Sequence, residues 1–149
     1  MRIGKRTRIW NPSNVYGCDI GDDCIISAFA EIQTDVTIGH RCKIECGAFI
    51  PSGVCIDDGV FIGPNVVFTN DKFPSAVNKD GTLQTSDDWK CLKTYVRKGV
   101  SIGANSTILP GIEIGEYAMI GAGSVVTKNV SPYSVMVGNP AQKIKVRKI

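Results

Sequence analysis

The chain has 149 residues, a hydrophobic fraction of 43% and a formal net charge of +3. These totals describe one ordinary globular domain and exclude a disordered chain. The positive charge is mild and scattered, so it does not favour a nucleic-acid surface.

The two ends and the cysteines set the expected compartment. Residues 1–10 lack the apolar stretch of a secretory signal, and the longest uncharged run, 129–142, contains two prolines and is too short for a membrane span. The six cysteines include no CxxC pair, and the single histidine, His40, leaves little material for a zinc site. We expect reduced thiols, no metal and a cytoplasmic protein.

A six-residue repeat of aliphatic residues is the strongest signal in the sequence. It runs from Ile20 to Phe68 without a miss, resumes at Val96 and continues to Val126. Ile3, Ile9 and Val15 resemble a first coil that is one residue out of step. A period of six fits neither an α-helix nor a long strand, but it does fit a solenoid of short strands separated by tight turns.

Three hexapeptides closing one coil of 18 residues predict which residues stack on one another. Side chains at repeat position i and at i+4 should point inward, with Cys24 packed over Cys42 as small hydrophobic residues. Successive coils should pair as parallel strands about 4.8 Å apart. Glycine is frequent at i+1, as in Gly103 and Gly121, and we predict that the turns there need unusual backbone angles.

The [LIV]-G-x-x-x-x pattern resembles the hexapeptide-repeat acyltransferases over nearly the whole chain. The resemblance implies an all-β fold, a left-handed parallel β-helix assembled as a homotrimer, as a single domain over residues 1–149. Spacing does not give this hand, because the general rule for parallel crossovers predicts the opposite one.

Residues 69–95 interrupt the repeat. They are polar and turn-forming, which excludes a buried extension of the core. Phe73, Trp89 and Tyr95 indicate an ordered loop that packs on something, and long loops of this kind are usually functional. The alternative is a loop that only covers the edge of a trimer.

The stretch "FIGPNVVFTNDKFP", followed by "DGTLQTSDDW", is similar to N-acetyltransferases that act on nucleotide-linked 3-amino-3-deoxy sugars. Their substrates include UDP-2-acetamido-3-amino-2,3-dideoxyglucuronate and dTDP-3-amino-3,6-dideoxyhexoses, which feed the synthesis of surface polysaccharides such as lipopolysaccharide. The resemblance implies that Asn70 lies beside the sugar amino group. The residues expected to bind the substrate are Lys72, Phe73, Asp87 and Trp89. Phe73 stands where tyrosine is common, so a contact through a phenol is lost.

The residues themselves also favour an amine acceptor. Acetyl transfer to a hydroxyl usually needs a general base such as histidine, and the loop contains none. A sugar amine attacks the thioester directly, with Asn70 orienting it and Asp71 either accepting a proton or merely forming a turn. His40 would be the base of an O-acetyltransferase and is otherwise an exposed turn residue.

The expected co-substrate is acetyl-CoA. The resemblance implies that its pantetheine arm lies between subunits near the backbone of Ala104 and Ala122. The tail, residues 131–149, resembles the V-x-G-x-P-A terminus at which the nucleotide part docks. Pro140 would pack near the adenine, and Lys128, Lys143 or Arg147 would meet phosphates.

Two other functions stay open at this point. The first is an O-acetyltransferase of a sugar or a small alcohol that uses His40. The second is a noncatalytic β-helix scaffold. A γ-type carbonic anhydrase is excluded, because three histidine ligands cannot come from one histidine.

Overall fold

Twenty short β-strands make up the regular structure of the computed structural model, which describes residues 1–149 and contains no α-helix. None of its segments forms a helix of the length and apolarity needed to cross a membrane. The strands are β1 Arg2–Ile3, β2 Arg8–Ile9, β3 Asn14–Val15, β4 Asp19–Ile20, β5 Ile25–Ile26, β6 Glu31–Ile32, β7 Thr37–Ile38, β8 Lys43–Ile44, β9 Phe49–Ile50, β10 Val54–Ile56, β11 Phe61–Ile62, β12 Val67–Phe68, β13 Thr94–Val96, β14 Ser101–Ile102, β15 Thr107–Ile108, β16 Glu113–Ile114, β17 Met119–Ile120, β18 Val125–Val126, β19 Ser134–Gly138 and β20 Ala141–Val146.

Three parallel sheets form the faces of a triangular prism. Face A has the order β1-β4-β7-β10-β13-β16, face B the order β2-β5-β8-β11-β14-β17-β19-β20, and face C contains β3-β6-β9-β12-β15-β18. The turns that join the faces form three columns, here called the A–B, B–C and C–A corners. Only β20 breaks the parallel pattern, since it pairs antiparallel with β19 at the C-terminal end.

The predicted stacking is confirmed. Side chains at i and i+4 fill the interior, and Phe68 is the largest of those that are fully buried. Ile3 pairs with Ile20, so the first coil is one residue short, as expected. The Cys42 N–H lies 3.4 Å from the Cys24 sulfur, both thiols are buried, and no disulfide forms.

The expectation for the i+1 glycines is wrong. Positive φ angles occur instead at i+3, for example at Asp23 and Asp35. Glycine is needed at i+1 because the coils approach closely there, and a Cβ on Gly103 would lie 2.5 Å from the Ala122 nitrogen. Asparagine and aspartate tolerate the left-handed region better than most residues, which explains their frequency at the corners.

The interruption leaves the prism at the C–A corner, after β12. Thr94 and Tyr95 already belong to β13 and pair with β10. The irregular segment therefore comprises residues 69–93, two residues fewer than predicted at its C-terminal end, and is called the loop below.

Candidate active site

The neck of the loop is fastened to the coil that precedes it. The Leu92 N–H donates to the Asn70 carbonyl at 2.9 Å, which closes the loop. Asn70 Nδ2 donates to the Ser52 carbonyl at 3.1 Å, and the Cys91 thiol donates to the same oxygen at 3.3 Å. Because the amide nitrogen must face Ser52, the Asn70 Oδ1 atom faces away from it and has no partner within the chain.

The body of the loop has its own hydrogen bonds. Val77 and Leu83 form an antiparallel bridge. A tight turn follows, in which the Thr85 N–H donates to the Asp88 carboxylate at 2.8 Å and lowers the pKa of that carboxyl. This turn directly precedes Trp89, which is half-buried.

A groove of about 710 Å³ lies between the loop and face A. Its lining residues are Gly17, Asp19, Gln33, Asp35, Val36, Thr37, Ser52, Gly53, Cys55, Asn70, Ser86, Trp89, Cys91 and Lys93. The structure therefore brings Asn70 and Trp89 together, as a binding site for an acceptor would require.

The other predicted loop residues do not line this groove. The Phe73 side chain is 81% exposed and lies beside the Lys72 ammonium. Asp87 is exposed as well. The Asp71 carboxylate accepts from the Phe73 N–H at 3.0 Å, so it forms a turn. Of the two roles weighed for Asp71, this contact matches the turn.

Sequence reasoning missed the part of the groove that comes from the coils. Gln33, Asp35 and Ser52 occupy variable corner positions that carry no motif. Only the repeat register could have found them, because Ser52 precedes Asn70 by one coil of 18 residues. Lys93 ends the loop and carries no motif, so it joins the groove only when the loop folds back on face A.

His40 lies at the A–B corner, across face A from Asn70. Its Nδ1 atom accepts from the Asp22 N–H at 2.8 Å. The same contact recurs along this corner, from the Lys5 N–H to Asp22 Oδ1 at 2.7 Å and from the His40 N–H to Asp58 Oδ1 at 2.8 Å. His40 therefore does what an aspartate does in the coil before and the coil after it.

This contact fixes the tautomer of His40. In a neutral imidazole one nitrogen donates and the other accepts. Because Nδ1 accepts from a backbone N–H, the proton is on Nε2. The outward nitrogen of His40 is thus a donor, whereas a general base needs a free lone pair there.

The predicted coenzyme residues fall into two groups. Lys128, Pro140 and Lys143 line a cavity of about 270 Å³ at the C-terminal end of the prism. Ala104 and Ala122 lie at the B–C corner, and their N–H groups have no acceptor within the chain. Their unpaired donors are the feature that a pantetheine arm would use.

Arg147 lies apart from the other three predicted phosphate and adenine contacts. Its Nη1 atom donates to the carbonyl oxygens of Gly99, Tyr117 and Ala118, at 3.2, 3.2 and 3.4 Å. The guanidinium is thereby held against the last coils, so it fastens the C-terminal strand to the prism. It is not among the residues that line the C-terminal cavity.

The chain forms a three-faced β-solenoid with a groove between its loop and face A, and comparison with known proteins shows the family to which this solenoid belongs. The family model for the bacterial transferase hexapeptide (six repeats) matches residues 17–52, 35–70 and 93–128. The chain belongs to this family.

Two curated relatives differ in what their names say they act on. Serine acetyltransferase from Buchnera aphidicola subsp. Schizaphis graminum is 37% identical over 119 residues, 78% of this chain and 45% of that protein. The dTDP-3-amino-3,6-dideoxy-alpha-D-galactopyranose 3-N-acetyltransferase of Aneurinibacillus thermoaerophilus is 60% identical over 50 residues, 34% of this chain and 26% of that protein. The chain thus spans less than half the length of these relatives.

Solved structures support the fold. A mutant of AntD, an N-acyltransferase from Bacillus cereus in complex with dTDP and coenzyme A, matches with a TM-score of 0.84 at 27% identity, covering 99% of this chain and 84% of that one. A mutant of perosamine N-acetyltransferase from Caulobacter crescentus, in complex with CoA and GDP-perosamine, matches with a TM-score of 0.77 at 19% identity, covering 93% and 56%. The solenoid is the left-handed parallel β-helix that the repeat resemblance implied.

Proposed function

We propose that this chain is an acetyl-CoA-dependent N-acetyltransferase acting on the amino group of a nucleotide-linked (dTDP or UDP) 3-amino-3-deoxy sugar. The observation that carries the proposal is the free Asn70 Oδ1 atom in a groove closed by the loop. The acceptor would belong to the synthesis of surface polysaccharides such as lipopolysaccharide, and the enzyme to the cytoplasm, where acetyl-CoA and sugar nucleotides are made.

The names of two similar proteins support this substrate class. One acts on a dTDP-linked 3-amino sugar, and AntD was crystallised with dTDP and coenzyme A. Both are N-acylating enzymes, which agrees with a groove that contains no histidine.

The chemistry needs little from the protein beyond positioning. The unprotonated amine attacks the thioester carbonyl, a C–N bond forms, and the C–S bond breaks to release coenzyme A as a thiolate. The surplus proton on nitrogen passes to water or to that thiolate. Asn70 Oδ1 accepts a hydrogen bond from an N–H of the amine, which aims the nitrogen lone pair at the thioester carbonyl. In model reactions, such proximity and orientation lower the activation barrier by on the order of 7 to 11 kcal/mol.

The coenzyme would dock at the C-terminal end. Lys128 and Lys143 are the cations of that cavity and would hold phosphates, with Pro140 against the adenine. Because Arg147 is engaged with three backbone carbonyls, we leave it out of the phosphate site.

The positions of the coenzyme residues also support a homotrimer. Asn70 and Lys128 lie at the C–A corner, whereas Ala104 and Ala122 lie at the B–C corner, on the other side of face C. Two chains lying side by side would bring the C–A corner of one subunit next to the B–C corner of the other, so that one coenzyme molecule could contact both. Lys72, Phe73 and Asp87 are exposed and do not line the groove of their own chain, so we propose that they meet an acceptor held by a neighbouring subunit.

An O-acetyltransferase is the second candidate. The serine acetyltransferase match, which spans 78% of the chain, favours it. The hydrogen bond from the Asp22 N–H to His40 Nδ1 counts against it, because that bond leaves the ring no outward lone pair.

The test is a thiol-release assay with acetyl-CoA and a panel of acceptors. We expect turnover with dTDP- or UDP-linked 3-amino sugars and none with the matching 3-hydroxy sugars or with serine. Turnover only with hydroxyl acceptors would overturn the proposal. Calorimetry showing no binding at millimolar acetyl-CoA would instead indicate a noncatalytic scaffold.

A further inference from the structure

The groove beside Asn70 has a direction. Asn70 and Lys93 lie at one end of the groove. Ser52 is one coil away toward the N-terminus and Asp35 is two coils away, and the groove ends at Gly17, at the first C–A corner. No residue after Lys93 lines it. A ligand held at Asn70 therefore extends toward the N-terminal end of the prism, away from the C-terminal cavity.

The spacing of the coils excludes a contact between Asp35 and the reacting amine. Two coil steps of about 4.8 Å place Asp35 roughly 10 Å along the axis from Asn70. A hydrogen bond needs about 3 Å between heavy atoms. A nucleotide-linked sugar carries its amine at one end and its base at the other, with a hexose, two phosphates and a pentose between them. Asp35 is thus at the level of the nucleoside.

Asp35 is free to bind a ligand. Its carboxylate is exposed and makes no hydrogen bond or ion pair within the chain, while its backbone N–H is held by the Gly17 carbonyl at 3.0 Å. An ionised carboxylate only accepts hydrogen bonds. It therefore favours a ligand that presents an N–H and disfavours one that presents a lone pair.

Trp89 supplies the second element of a base-binding site. It is the one aromatic side chain that lines the groove, and it is half-buried. It directly follows a turn in which the Asp88 carboxylate accepts from the Thr85 N–H and hydroxyl at 2.8 and 3.1 Å. An aromatic ring stacks on any base and so contributes affinity without discrimination.

We propose that Asp35 and Trp89 form the nucleobase subsite of this groove, with Trp89 stacking on the base and Asp35 accepting its ring N–H. The inference rests on the proposed function and adds the selection of the nucleotide. Uracil, thymine and guanine carry a ring N–H on the edge that would face Asp35. Cytosine and adenine carry a ring acceptor there, which the carboxylate repels.

Calorimetry with nucleoside diphosphates tests the subsite without requiring turnover. Wild type, Asp35→Asn and Asp23→Asn are titrated with UDP, dTDP, GDP, CDP and ADP. Asp23 is the control for the same substitution at the same backbone φ of 59°, at the A–B corner, where its carboxylate pairs with Arg6 instead of lining the groove. Asparagine keeps the size of the side chain and adds an N–H donor.

We expect wild type and Asp23→Asn to bind UDP at least tenfold more tightly than CDP. In Asp35→Asn the affinity for UDP should fall about tenfold or more, as for a lost hydrogen bond to a charged group, while the affinity for CDP holds or rises. Trp89→Ala should weaken all five ligands by a similar factor. An unchanged ratio of UDP to CDP affinity in Asp35→Asn would overturn the inference and leave the proposed function standing. Absence of binding to every diphosphate at millimolar concentration would overturn both.

Discussion

Asn70 and His40 occupy the same place in the repeat, two residues after an inward-facing side chain, and lie at the two corners that bound face A. Each side chain contacts the backbone of the preceding coil, Asn70 through a donor to the Ser52 carbonyl and His40 through an acceptor from the Asp22 N–H. The side-chain atom that keeps no partner is therefore an acceptor at Asn70, Oδ1, and a donor at His40, Nε2.

The comparison shows that position in the repeat does not decide function. A corner side chain stabilises the stacking of coils wherever it meets backbone. It becomes a site only where a second wall encloses it, and only the C–A corner has the loop. Changes at the Asn70 corner should therefore reduce activity, whereas changes at the His40 corner should reduce stability alone.

The largest effect is expected in the core beneath the Asn70 corner. Phe68 is fully buried and ends the strand from which the loop leaves. Phe68→Ala should lower the free energy of unfolding by about 3–5 kcal/mol, because a large cavity opens there. Ile38→Val, at the equivalent place beneath His40, should cost about 0.5–1.5 kcal/mol. Urea unfolding at one protein concentration measures both, and a loss below about 1 kcal/mol for Phe68→Ala would contradict the assigned packing.

Asn70→Ala should reduce kcat/KM for the amino-sugar acceptor by about 100-fold, the penalty for a misplaced reactant. Asp80→Ala, a change in the loop that does not line the groove, is the control and should stay near wild type. Asn70→Asp keeps an oxygen for the amine, but it loses the N–H to Ser52 and sets a carboxylate oxygen against the Ser52 carbonyl. Because the acceptor for the amine is kept, this variant should retain more activity than alanine. If the two Asn70 variants were equally inactive, closing the neck of the loop would be the only role of Asn70.

His40→Ala should cost about 0.5–1.5 kcal/mol of stability, the usual value of one hydrogen bond, and leave acetyl transfer unchanged. His40→Asn offers a neutral acceptor to the Asp22 N–H and should recover most of that stability. Thermal unfolding and the thiol-release assay are compared for both variants. A tenfold loss of activity at unchanged stability would make His40 catalytic and would favour the O-acetyltransferase.

The smallest effect is expected at low pH, in the turn that the Asp88 carboxylate stabilises. The hydrogen bond from the Thr85 N–H is the main reason that the pKa of Asp88 lies below the ordinary 3.8. A carboxyl group whose pKa is lowered by folding stabilises the fold at any pH above its pKa in the unfolded chain. That stabilisation is lost as the pH falls through its pKa in the folded chain. The turn before Trp89 should therefore stay intact at pH 5 and loosen below about pH 4. Limited proteolysis of the loop against pH measures this, and Asp88→Asn should remove the step. A wild-type loop that is cut as readily at pH 6 as at pH 3 would contradict it.

The fold could be predicted because the repeat is a local rule applied many times. Ile20, Ile38 and Ile56 each report the same buried position, so the coils, their register and the place of the loop follow from spacing. Asn70 and Trp89 were found because a motif marks them. No motif marks Asp35 or Lys93. They line the same groove only because the coils stack and the loop folds back on face A. The resemblance of the tail and the charge of Arg147 predict a phosphate contact, and only the structure shows that Arg147 bonds to three backbone carbonyls.

The most direct test identifies the bond that is made. The protein is incubated with acetyl-CoA labelled with ¹³C at the carbonyl and with a dTDP- or UDP-linked sugar bearing a 3-amino group, and the product is examined by NMR. We predict an amide, with the labelled carbonyl coupled to the proton on C3 through nitrogen. A labelled ester on a sugar hydroxyl, with the amine left free, would contradict the account.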